Sequence, residues 1–259
     1  MKNSAWPWCG ITSPVPTAAR RSTLAKNRRI HVAGENRLLA GLRREDYDRL
    51  LPHLEKVSLP LREILYEANG PITHVFFPLS GVVSLVIMDS DFTLEVGVIG
   101  NEGMVGTPVF LGADRSPTKT IVQIPGEAQR MEAKLFQKEM GRGGPLYGLV
   151  QRYTQAMINQ ISQSIVCNHR HSVEKRMCRW LLMSHNRVAA DEFLLTHEFL
   201  AQMLGVRRPT VTAVAGTLQK AGLINYHRGR ITIIDRKGLE ATSCECYAVI
   251  AKELDRLLG

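Results

Sequence analysis

Two adjacent arginines stand at the start of a predicted helix near the carboxyl-terminal end of the chain. Arg207 and Arg208 follow a turn at Gly205, and Thr210 and Thr212 come within the next helical turn. A guanidinium carries N–H donors in a fixed fork that matches phosphate oxygens and the two acceptors of a guanine edge. The chemistry that these residues offer is therefore binding to nucleic acid.

A second group of basic side chains lies at the tip of a predicted hairpin. His227, Arg228 and Arg230 stand between two short strand-like runs. Between residues 199 and 237 the chain carries seven Lys or Arg and one acidic residue, a local excess of +6. Such an excess suits the phosphate backbone of a nucleic acid.

Two short helices around a tight turn, followed by a hairpin, would position these groups. Thr196 can cap the first helix, and Gly205 stands where a left-handed residue commonly ends one. Pro209 is tolerated in the first turn of the second helix, and 224–226 and 231–234 are typical of paired strands. The order predicts a winged helix-turn-helix. The alternative, a helical hairpin buried in a core, needs neither the paired arginines nor a basic wing.

Upstream, the periodicity predicts a small antiparallel barrel or sandwich that follows a short amphipathic helix at 44–51. The predicted strands are 74–77, 82–87, 92–99, 121–124 and 128–131, with turns at 80–81 and 89–91.

From Pro145 to about Arg187 the apolar pattern becomes helical, with a break near 168–172. Because the apolar positions cover more than one stripe, we expect one stripe to face the barrel and another to face a second copy of the chain. The alternative is a helix that packs wholly within one subunit. The residues assigned to the dimer helix are Val150, Tyr153, Met157 and Ile161.

The net charge of +9 is distributed unevenly along the 259 residues. The regional charges are +5 for 1–36, −2 for 37–145, +5 for 146–190 and +1 for 191–259. The middle of the chain is therefore not a nucleic-acid surface, whereas the second half is expected to carry two basic patches.

The five cysteines are odd in number and have no disulfide-framework spacing, which favours reduced thiols in a cytoplasm. They lie at positions 9, 167, 178, 244 and 246. Cys167 and His171 would share a helical face while His169 points away, and Cys244 and Cys246 would diverge on a helix. Since two ligands do not make a zinc site, no metal site is predicted. Redox sensing by these thiols stays open.

Catalytic and membrane functions find no support in the sequence. There is no nucleophile elbow, P-loop or H-E-x-x-H motif, so we do not expect an enzyme. No apolar run approaches the length of a membrane span, and the N-terminus does not match a secretory signal. We expect a cytoplasmic protein that does not enter a membrane.

With barrel, long helix and winged domain in this order, the chain resembles the Crp/Fnr family of transcription regulators. The resemblance runs from about Asn36 to the C-terminal region and is densest in G-V-I-G-N-E-G-M-V-G (97–106) and L-T-H-E-F-L-A-Q-M-L-G-V-R-R-P-T-V-T (195–212). It implies an α+β fold with an N-terminal antiparallel double-stranded β-helix (jelly-roll-like), a long dimerisation helix and a C-terminal winged helix-turn-helix. The implied domains are a disordered basic extension at 1–33, a cyclic-nucleotide-binding-like sensor barrel at 34–145, a dimerisation helix and hinge at 146–187, and the DNA-binding domain at 188–259.

The resemblance also implies a sequence-specific regulator that binds a palindromic promoter site as a homodimer, under control of a signal sensed by the barrel. Double-stranded DNA and a second copy are the implied partners, and RNA polymerase is a further candidate. Arg208 matches the family's base-reading arginine, whereas Pro209 and Ala213 depart from its pattern, so the DNA site should differ from the family consensus. The implied DNA-binding residues are Thr196, Arg207, Arg208, Thr210, Thr212, His227, Arg228 and Arg230.

The effector implied by the resemblance is less defined. Pieces of a phosphate-binding pattern are present in an assigned pocket of Glu102, Gly103, Gly106, Arg115 and Ser116. Thr107-Pro108 stands where a ribose-binding glutamate is expected, and Pro117 removes a backbone donor after Ser116. The pattern argues against cyclic AMP and leaves another small ligand, or none, with no required cofactor. An alternative function is an effector-binding or thiol redox-responsive scaffold whose winged domain contacts proteins.

Overall fold

A computed structural model describes residues 35–88, 93–188 and 190–259. The predicted extension at 1–33, the turn at 89–91 and Phe92 lie outside these residues. The helices are α1 (Arg37–Ala40), α2 (Arg44–Leu50), α3 (Thr107–Phe110), α4 (Ala133–Met140), α5 (Pro145–Arg170), α6 (Val173–His185), α7 (His197–Leu204), α8 (Arg208–Lys220), α9 (Arg236–Thr242) and α10 (Cys246–Leu258). The strands are β1 (Glu55–Leu59), β2 (Ile64–Tyr66), β3 (His74–Pro78), β4 (Val82–Met88), β5 (Thr93–Ile99), β6 (Lys119–Ile124), β7 (Gly126–Glu132), β8 (Glu192–Leu194), β9 (Ile224–His227) and β10 (Arg230–Ile233).

The N-terminal half forms the predicted barrel from two antiparallel sheets, ordered β1-β7-β3 and β2-β6-β4-β5. Side chains alternate across each strand, so one face of each sheet contributes to a shared apolar core. Phe77, Val83 and Val122 are fully buried there, together with Phe136 of α4. The short strands β1 and β2 were not predicted, because β1 alternates with charged residues and β2 is only three residues long.

The four-stranded sheet is buried on its second face as well. Val82, Val86 and Val98 point away from the barrel core and pack in a cluster with Met177 and Trp180 of α6. A sheet that is covered on both faces has nearly continuous apolar strands, as β4 does. The second face therefore joins the barrel to the C-terminal half of the chain.

The long helix has the predicted break. α5 begins at Pro145, and the N–H of His171 donates to the carbonyl of Cys167 at its end (3.1 Å). Ser172 then caps α6 by accepting from the N–H of Lys175 (3.4 Å). Two separate helices therefore connect the barrel to the winged domain.

The stripe that was assigned to dimer contacts requires correction. Val150, Tyr153 and Met157 are buried in the barrel core, and Ile161 packs against that core, so this stripe is not available to a second copy. The ring of Tyr153 packs closely against the backbone of Gly103, where an added Cβ atom would lie 2.0 Å from the ring. The apolar side chains of α5 that stay exposed lie elsewhere and include Tyr147, Ile158, Ile165 and Val166.

The C-terminal half contains the predicted two helices and hairpin. A third strand, β8, extends the sheet to the order β8-β10-β9, and α10 returns to pack along α5. Neither β8, which has three residues, nor α10 was predicted. No helix in the described ranges is long and apolar enough to cross a membrane.

Candidate nucleic-acid interface

The two helices of the motif are held as their sequence predicts. The hydroxyl of Thr196 accepts from the N–H of Phe199 (3.2 Å) and caps α7, and Gly205 adopts the left-handed conformation with φ of 60°. Leu204 of α7 and Val211 of α8 are buried in the same cluster. The packed faces leave the opposite face of α8 to solvent.

All eight side chains predicted to bind DNA belong to exposed residues. Arg207 is the N-cap residue of α8, and Arg208 and Thr212 lie one turn apart on its exposed face. Pro209 and Ala213 lie beside them and are also exposed. Because these two side chains are short and apolar, Arg208 is the dominant hydrogen-bonding group on the first turns of this face.

His197, which sequence analysis did not single out, joins three parts of the motif. The hydroxyl of Thr212 donates to the carbonyl of Arg208 (3.1 Å) and lies 3.0 Å from Nδ1 of His197. The imidazole stacks on Tyr226 of the wing, with ring centroids 4.0 Å apart. Burial, and secondarily the charge of Arg208, lower the pKa of His197, which favours a neutral ring at pH 7. Thr212 is thus a positioning residue within the interface.

The wing presents one arginine at its tip and another at its side. Arg228 and Gly229 form the two central residues of the turn with φ of 46° and 78°, the positive values that a type I′ hairpin requires. Arg230 forms an ion pair with Glu192 of β8 (2.9 Å), whereas Arg228 has no ion pair within the described residues. Arg228 is therefore the wing cation that is available to a phosphate.

The second basic patch, predicted for residues 146–190, is only partly a surface, because Arg152, Arg170 and Lys175 are exposed and the other three basic residues are not. Arg176, Arg179 and Arg187 are each buried, so half of the basic side chains of that stretch lie inside the protein. Arg176 donates to the carbonyl of Leu204 and so satisfies the carboxyl end of α7. These three side chains make contacts within the protein and are not available to phosphate, and Arg187, which bonds Glu102 of the barrel, joins the two halves.

Glu102, the first residue of the assigned effector pocket, is engaged by Arg187. Nη2 and Nε of the guanidinium lie 2.7 and 3.0 Å from Oε1 of the carboxylate, and both side chains are buried. The same oxygen accepts from the N–H of Gly100 (3.1 Å). The protein itself therefore holds one oxygen of this carboxylate with three donor groups.

The rest of the assigned pocket is also occupied by the protein itself. Gly103 lies under the ring of Tyr153, and Gly106 has a φ of 105°. Arg115 is exposed and donates to the carbonyl of Asn69 (2.8 Å). Ser116 is buried, and its N–H donates to the carbonyl of Gly70 (3.0 Å). These residues do not form an open phosphate cradle in the described structure.

A second polar contact joins the barrel to α6. Glu95 of β5 accepts hydrogen bonds from Nε1 of Trp180 (3.0 Å) and from the hydroxyl of Ser84 (2.6 Å). Burial raises the pKa of Glu95 to about 7, against the opposing effect of these hydrogen bonds and of Arg179 and Arg187. This carboxyl group titrates near neutral pH at the joint between the two halves.

Four potential metal ligands converge near the end of α5, contrary to expectation. The ligand atoms of Cys167, His171, Cys244 and Cys246 all lie within 4.8 Å of one another. The expectation that Cys244 and Cys246 diverge is wrong, because Cys244 precedes α10 and only Cys246 is helical. Short-range spacing does not reveal that α10 returns to α5.

Comparison with known proteins agrees with the geometry of the C-terminal half. Residues 175–242 match the model of the Crp-like helix-turn-helix domain. This stretch of the chain is therefore similar to the helix-turn-helix domain of Crp-like proteins. The chain is 26% identical over 192 residues to the transcriptional regulator SdrP of Thermus thermophilus. The aligned region covers 68% of this chain and 88% of that relative.

Solved structures show the fold of the regulator. A protein assigned to the Crp/Fnr family from Eubacterium rectale superposes with a TM-score of 0.62 at 19% identity, over 79% of this chain and 96% of the other. FixK2 from Bradyrhizobium japonicum superposes with a TM-score of 0.61 at 15% identity, over 74% and 98% respectively. The predicted family resemblance and fold class are confirmed, and the family and the relative are regulators, not enzymes.

Proposed function

We propose that this chain is a Crp/Fnr-type transcription regulator that binds a palindromic DNA site as a homodimer. In this proposal the first turns of α8 read bases while the wing contacts the backbone. The observation that carries this proposal is the single exposed face on which Arg207, Arg208 and Thr212 lie, with Arg228 at the wing tip. Arg208 would bind a guanine edge in the major groove, and the other cations would hold phosphates.

The assignment of roles follows from the neighbours of each side chain. Arg208 projects from a helix that Val211 and Leu218 anchor in the core, so its position is fixed by packing. Arg228 stands at a hairpin tip, where a side chain can follow the backbone without reaching a base edge. Base reading thus depends mainly on Arg208, because the two side chains beside it on this face of α8 are short and apolar and offer a base no hydrogen bond.

Dimer formation is supported by the exposed apolar side chains of α5. Ile158 and Ile165 are 53% and 67% exposed and lie seven residues apart, which places them on one stripe of the helix. Gln151, Gln155 and Ser162 share that exposed side. A second copy that packs along this stripe would present two winged domains to the two halves of a palindrome.

Control by the barrel would act through the buried contacts between the halves. The pair Glu102–Arg187 and the hydrogen bond of Trp180 to Glu95 each tie a barrel residue to α6 or to the turn after it. A signal that changes either contact would change the position of the winged domain. We propose a ligand other than cyclic AMP, or no ligand, because Glu102 and Ser116 are already bonded within the protein.

The cytoplasm is the proposed site of action. The four cysteines of the described residues are buried free thiols, and a reducing compartment keeps thiols in that form.

Selection of bound duplexes from a random pool tests DNA binding and yields the half-site in one experiment. We expect a palindromic consensus whose affinity falls steeply with salt. Arg208→Ala should cost about 1–3 kcal/mol and relax specificity at one base pair in each half-site. Arg43→Ala, which removes an exposed arginine of the barrel, is the matched control and should leave the consensus unchanged.

The alternative, a scaffold whose winged domain contacts proteins, gives a different result. It predicts no enriched sequence and no steep salt dependence, and an unchanged consensus in Arg208→Ala would also contradict the assigned role of that residue. Calorimetry with cyclic AMP should show no binding in the micromolar range, and micromolar binding would overturn the proposal on the ligand.

A further inference from the structure

Three cysteines and one histidine form a cluster between the end of α5 and the segment that joins α9 to α10. Sγ of Cys167 lies 3.5 Å from Sγ of Cys244, and Sγ of Cys246 lies 3.5 Å from Nδ1 of His171. The three cysteines form a buried cluster of their own, and His171 is partly buried beside them. The DNA-binding function of the chain uses none of these four side chains.

The separations match those of ligands around a tetrahedral ion. With Zn–S bonds of about 2.3 Å and Zn–N bonds of about 2.0 Å, neighbouring ligand atoms of a tetrahedron are about 3.5–3.8 Å apart. The Cys167–Cys244 and Cys246–His171 separations have such values, and all others in the cluster are within 4.8 Å. Closing the wider pairs requires a contraction of at most about 1 Å, which rotation of the side chains can provide.

Groups around the cluster orient the ligands. Nε2 of His171 lies 3.3 Å from a carboxylate oxygen of Glu245, which holds the N–H on Nε2 and leaves Nδ1 as the electron-pair donor. Nε2 of Gln163 donates to Sγ of Cys246 (3.1 Å), a bond that stabilises a thiolate. A carboxylate behind a ligating histidine is a recurrent arrangement at zinc sites.

The charges also fit a divalent cation. Three thiolates and one neutral imidazole around Zn²⁺ carry a net charge of −1, which is costly to bury without a nearby cation. Arg176 is buried and close enough to Cys167 and Cys244 for their charges to interact. The surroundings of the cluster therefore supply both polar partners and a compensating charge.

We propose that Cys167, His171, Cys244 and Cys246 form a structural site for one Zn²⁺ ion. Four protein ligands fill the tetrahedron, so no position remains for water or substrate. On binding, the three thiols lose their protons to solvent and the sulfur and nitrogen electron pairs bond the ion, with no change of oxidation state.

The site would fasten the carboxyl-terminal helix to the rest of the regulator. Cys167 and His171 lie at the end of α5, whereas Cys244 and Cys246 come after the winged motif. One ion would therefore fix the start of α10 against the helix that leads from the barrel. The break between α5 and α6 directly follows His171, so the site would also fix the position of that break.

Metal analysis of the full-length protein, purified under reducing conditions from zinc-supplemented medium, tests the site. We expect one zinc per chain by mass spectrometry of the elements. Replacement of zinc by Co²⁺ should give the visible d–d bands of a tetrahedral site and a thiolate-to-metal charge-transfer band. The cobalt spectrum is measured on the unaltered protein and does not depend on the folding of any variant.

Four single variants identify the ligands. Cys167→Ser, His171→Gln, Cys244→Ser and Cys246→Ser should each reduce bound zinc or alter the cobalt spectrum. Cys178→Ser removes a buried cysteine outside the cluster, and His169→Gln removes an exposed histidine one residue before the end of α5; both variants should keep one equivalent of zinc. Circular dichroism on each variant separates metal loss from loss of folding.

Three results would overturn the proposal. The first is protein that is folded and fully reduced, yet takes up neither zinc nor cobalt at saturating concentration. The second is one equivalent of zinc that persists in all four ligand variants. The third is iron with labile sulfide, or a Cys167–Cys244 disulfide in the reduced preparation, in place of a mononuclear zinc centre.

Discussion

Arg187 and Glu102 form a buried ion pair that connects the turn after α6 to the glycine-rich segment of the barrel, with 2.7 Å between Nη2 and Oε1. Nη1 of Arg187 also donates to the carbonyl of Met183 (2.6 Å), so the guanidinium is held from both sides. A Cβ atom on Gly100 would lie 2.5 Å from Cγ of Arg187, which explains a glycine at that position. The glycine-rich segment, which the sequence relates to effector binding, thus receives a side chain from the DNA-binding half.

Removal of one member of this pair should destabilise the protein more than removal of both. Arg187→Met leaves the carboxylate of Glu102 buried and without its cation, so we expect the free energy of unfolding to fall by about 3–5 kcal/mol. Glu102→Gln in the same chain removes the stranded charge and should restore part of that loss. Urea unfolding of the two single variants and the double variant measures the coupling.

One outcome of the double-mutant cycle would contradict the predicted interaction between the two side chains. Additive effects of Arg187→Met and Glu102→Gln would mean that the two side chains do not interact in solution. Arg43→Met, an exposed arginine in the barrel half, serves as the control for the general effect of removing a guanidinium.

Stability should fall as the pH rises through neutrality because of Glu95. Burial raises the pKa of this carboxyl group from its usual 4.5 to about 7, so the folded chain holds the proton more tightly than the unfolded chain. The resulting stability is fully present below pH 4.5 and is lost as the pH passes 7. The loss amounts to at most about 3 kcal/mol.

Glu95→Gln removes this titration while keeping an oxygen that can accept from Trp180. The free energy of unfolding, measured with urea between about pH 5 and pH 8, should then depend less on pH and exceed that of the unaltered protein at the upper end. Glu63→Gln changes an exposed carboxylate and should retain the slope. An equal slope in Glu95→Gln and the unaltered protein would contradict the assignment.

The sequence predicts the elements whose signals are local. Thr196, Gly205 and Pro209 mark the ends of two helices by capping and backbone geometry, and the structure places those ends where the signals indicate. The alternation in β3 to β7 is equally local, because one strand suffices to display it. The fold class and the nucleic-acid motif were accessible for this reason.

Contacts between distant segments were not accessible in the same way. Arg187 and Glu102 are each ordinary charged residues in the sequence, and only the packing of α6 on the barrel brings them together. Tyr153 was assigned to a dimer stripe because periodicity identifies an apolar face without naming its partner. The cysteine cluster was missed for the related reason that α10 reverses the chain onto α5.

Arg228 at the wing tip should contribute a positive charge to DNA binding, and its backbone conformation should cost some folding stability. Its φ of 46° belongs to the left-handed region, which Asn tolerates better than Arg. Arg228→Asn should keep or raise stability by up to about 1 kcal/mol, and it should weaken DNA binding uniformly across sequences while lowering the salt slope by about 1. Affinity measured over a range of salt concentrations provides the slope.

Arg228→Lys is the matched control for the wing, because it preserves the charge at the same turn position. It should keep the salt slope of the unaltered protein. If Arg228→Asn also keeps that slope, the wing tip does not contact a phosphate, and the paired Arg230 or the residues of α8 carry the whole electrostatic contribution.

The exposed stripe of α5 should be the dimer contact. Ile158 and Ile165 are exposed in the single chain, so glutamate at both positions should leave the fold of the subunit intact. At a dimer contact, the glutamates of the two copies would repel each other, and the apolar burial of the two isoleucine side chains would be lost. We expect the dissociation constant of the dimer to rise at least about a hundredfold, which corresponds to about 2.7 kcal/mol.

Analytical ultracentrifugation of the Ile158→Glu/Ile165→Glu variant measures this change, and unfolding by urea verifies that the monomer is folded. Leu111→Glu is the matched control, since Leu111 is as exposed as Ile165 (67%) but lies after α3 in the barrel half. Binding to a full palindrome should weaken in the double variant, because separate monomers then occupy the two half-sites of the DNA independently. Binding to a single half-site should persist. A dimer of unchanged affinity would assign the contact to a different surface of the chain.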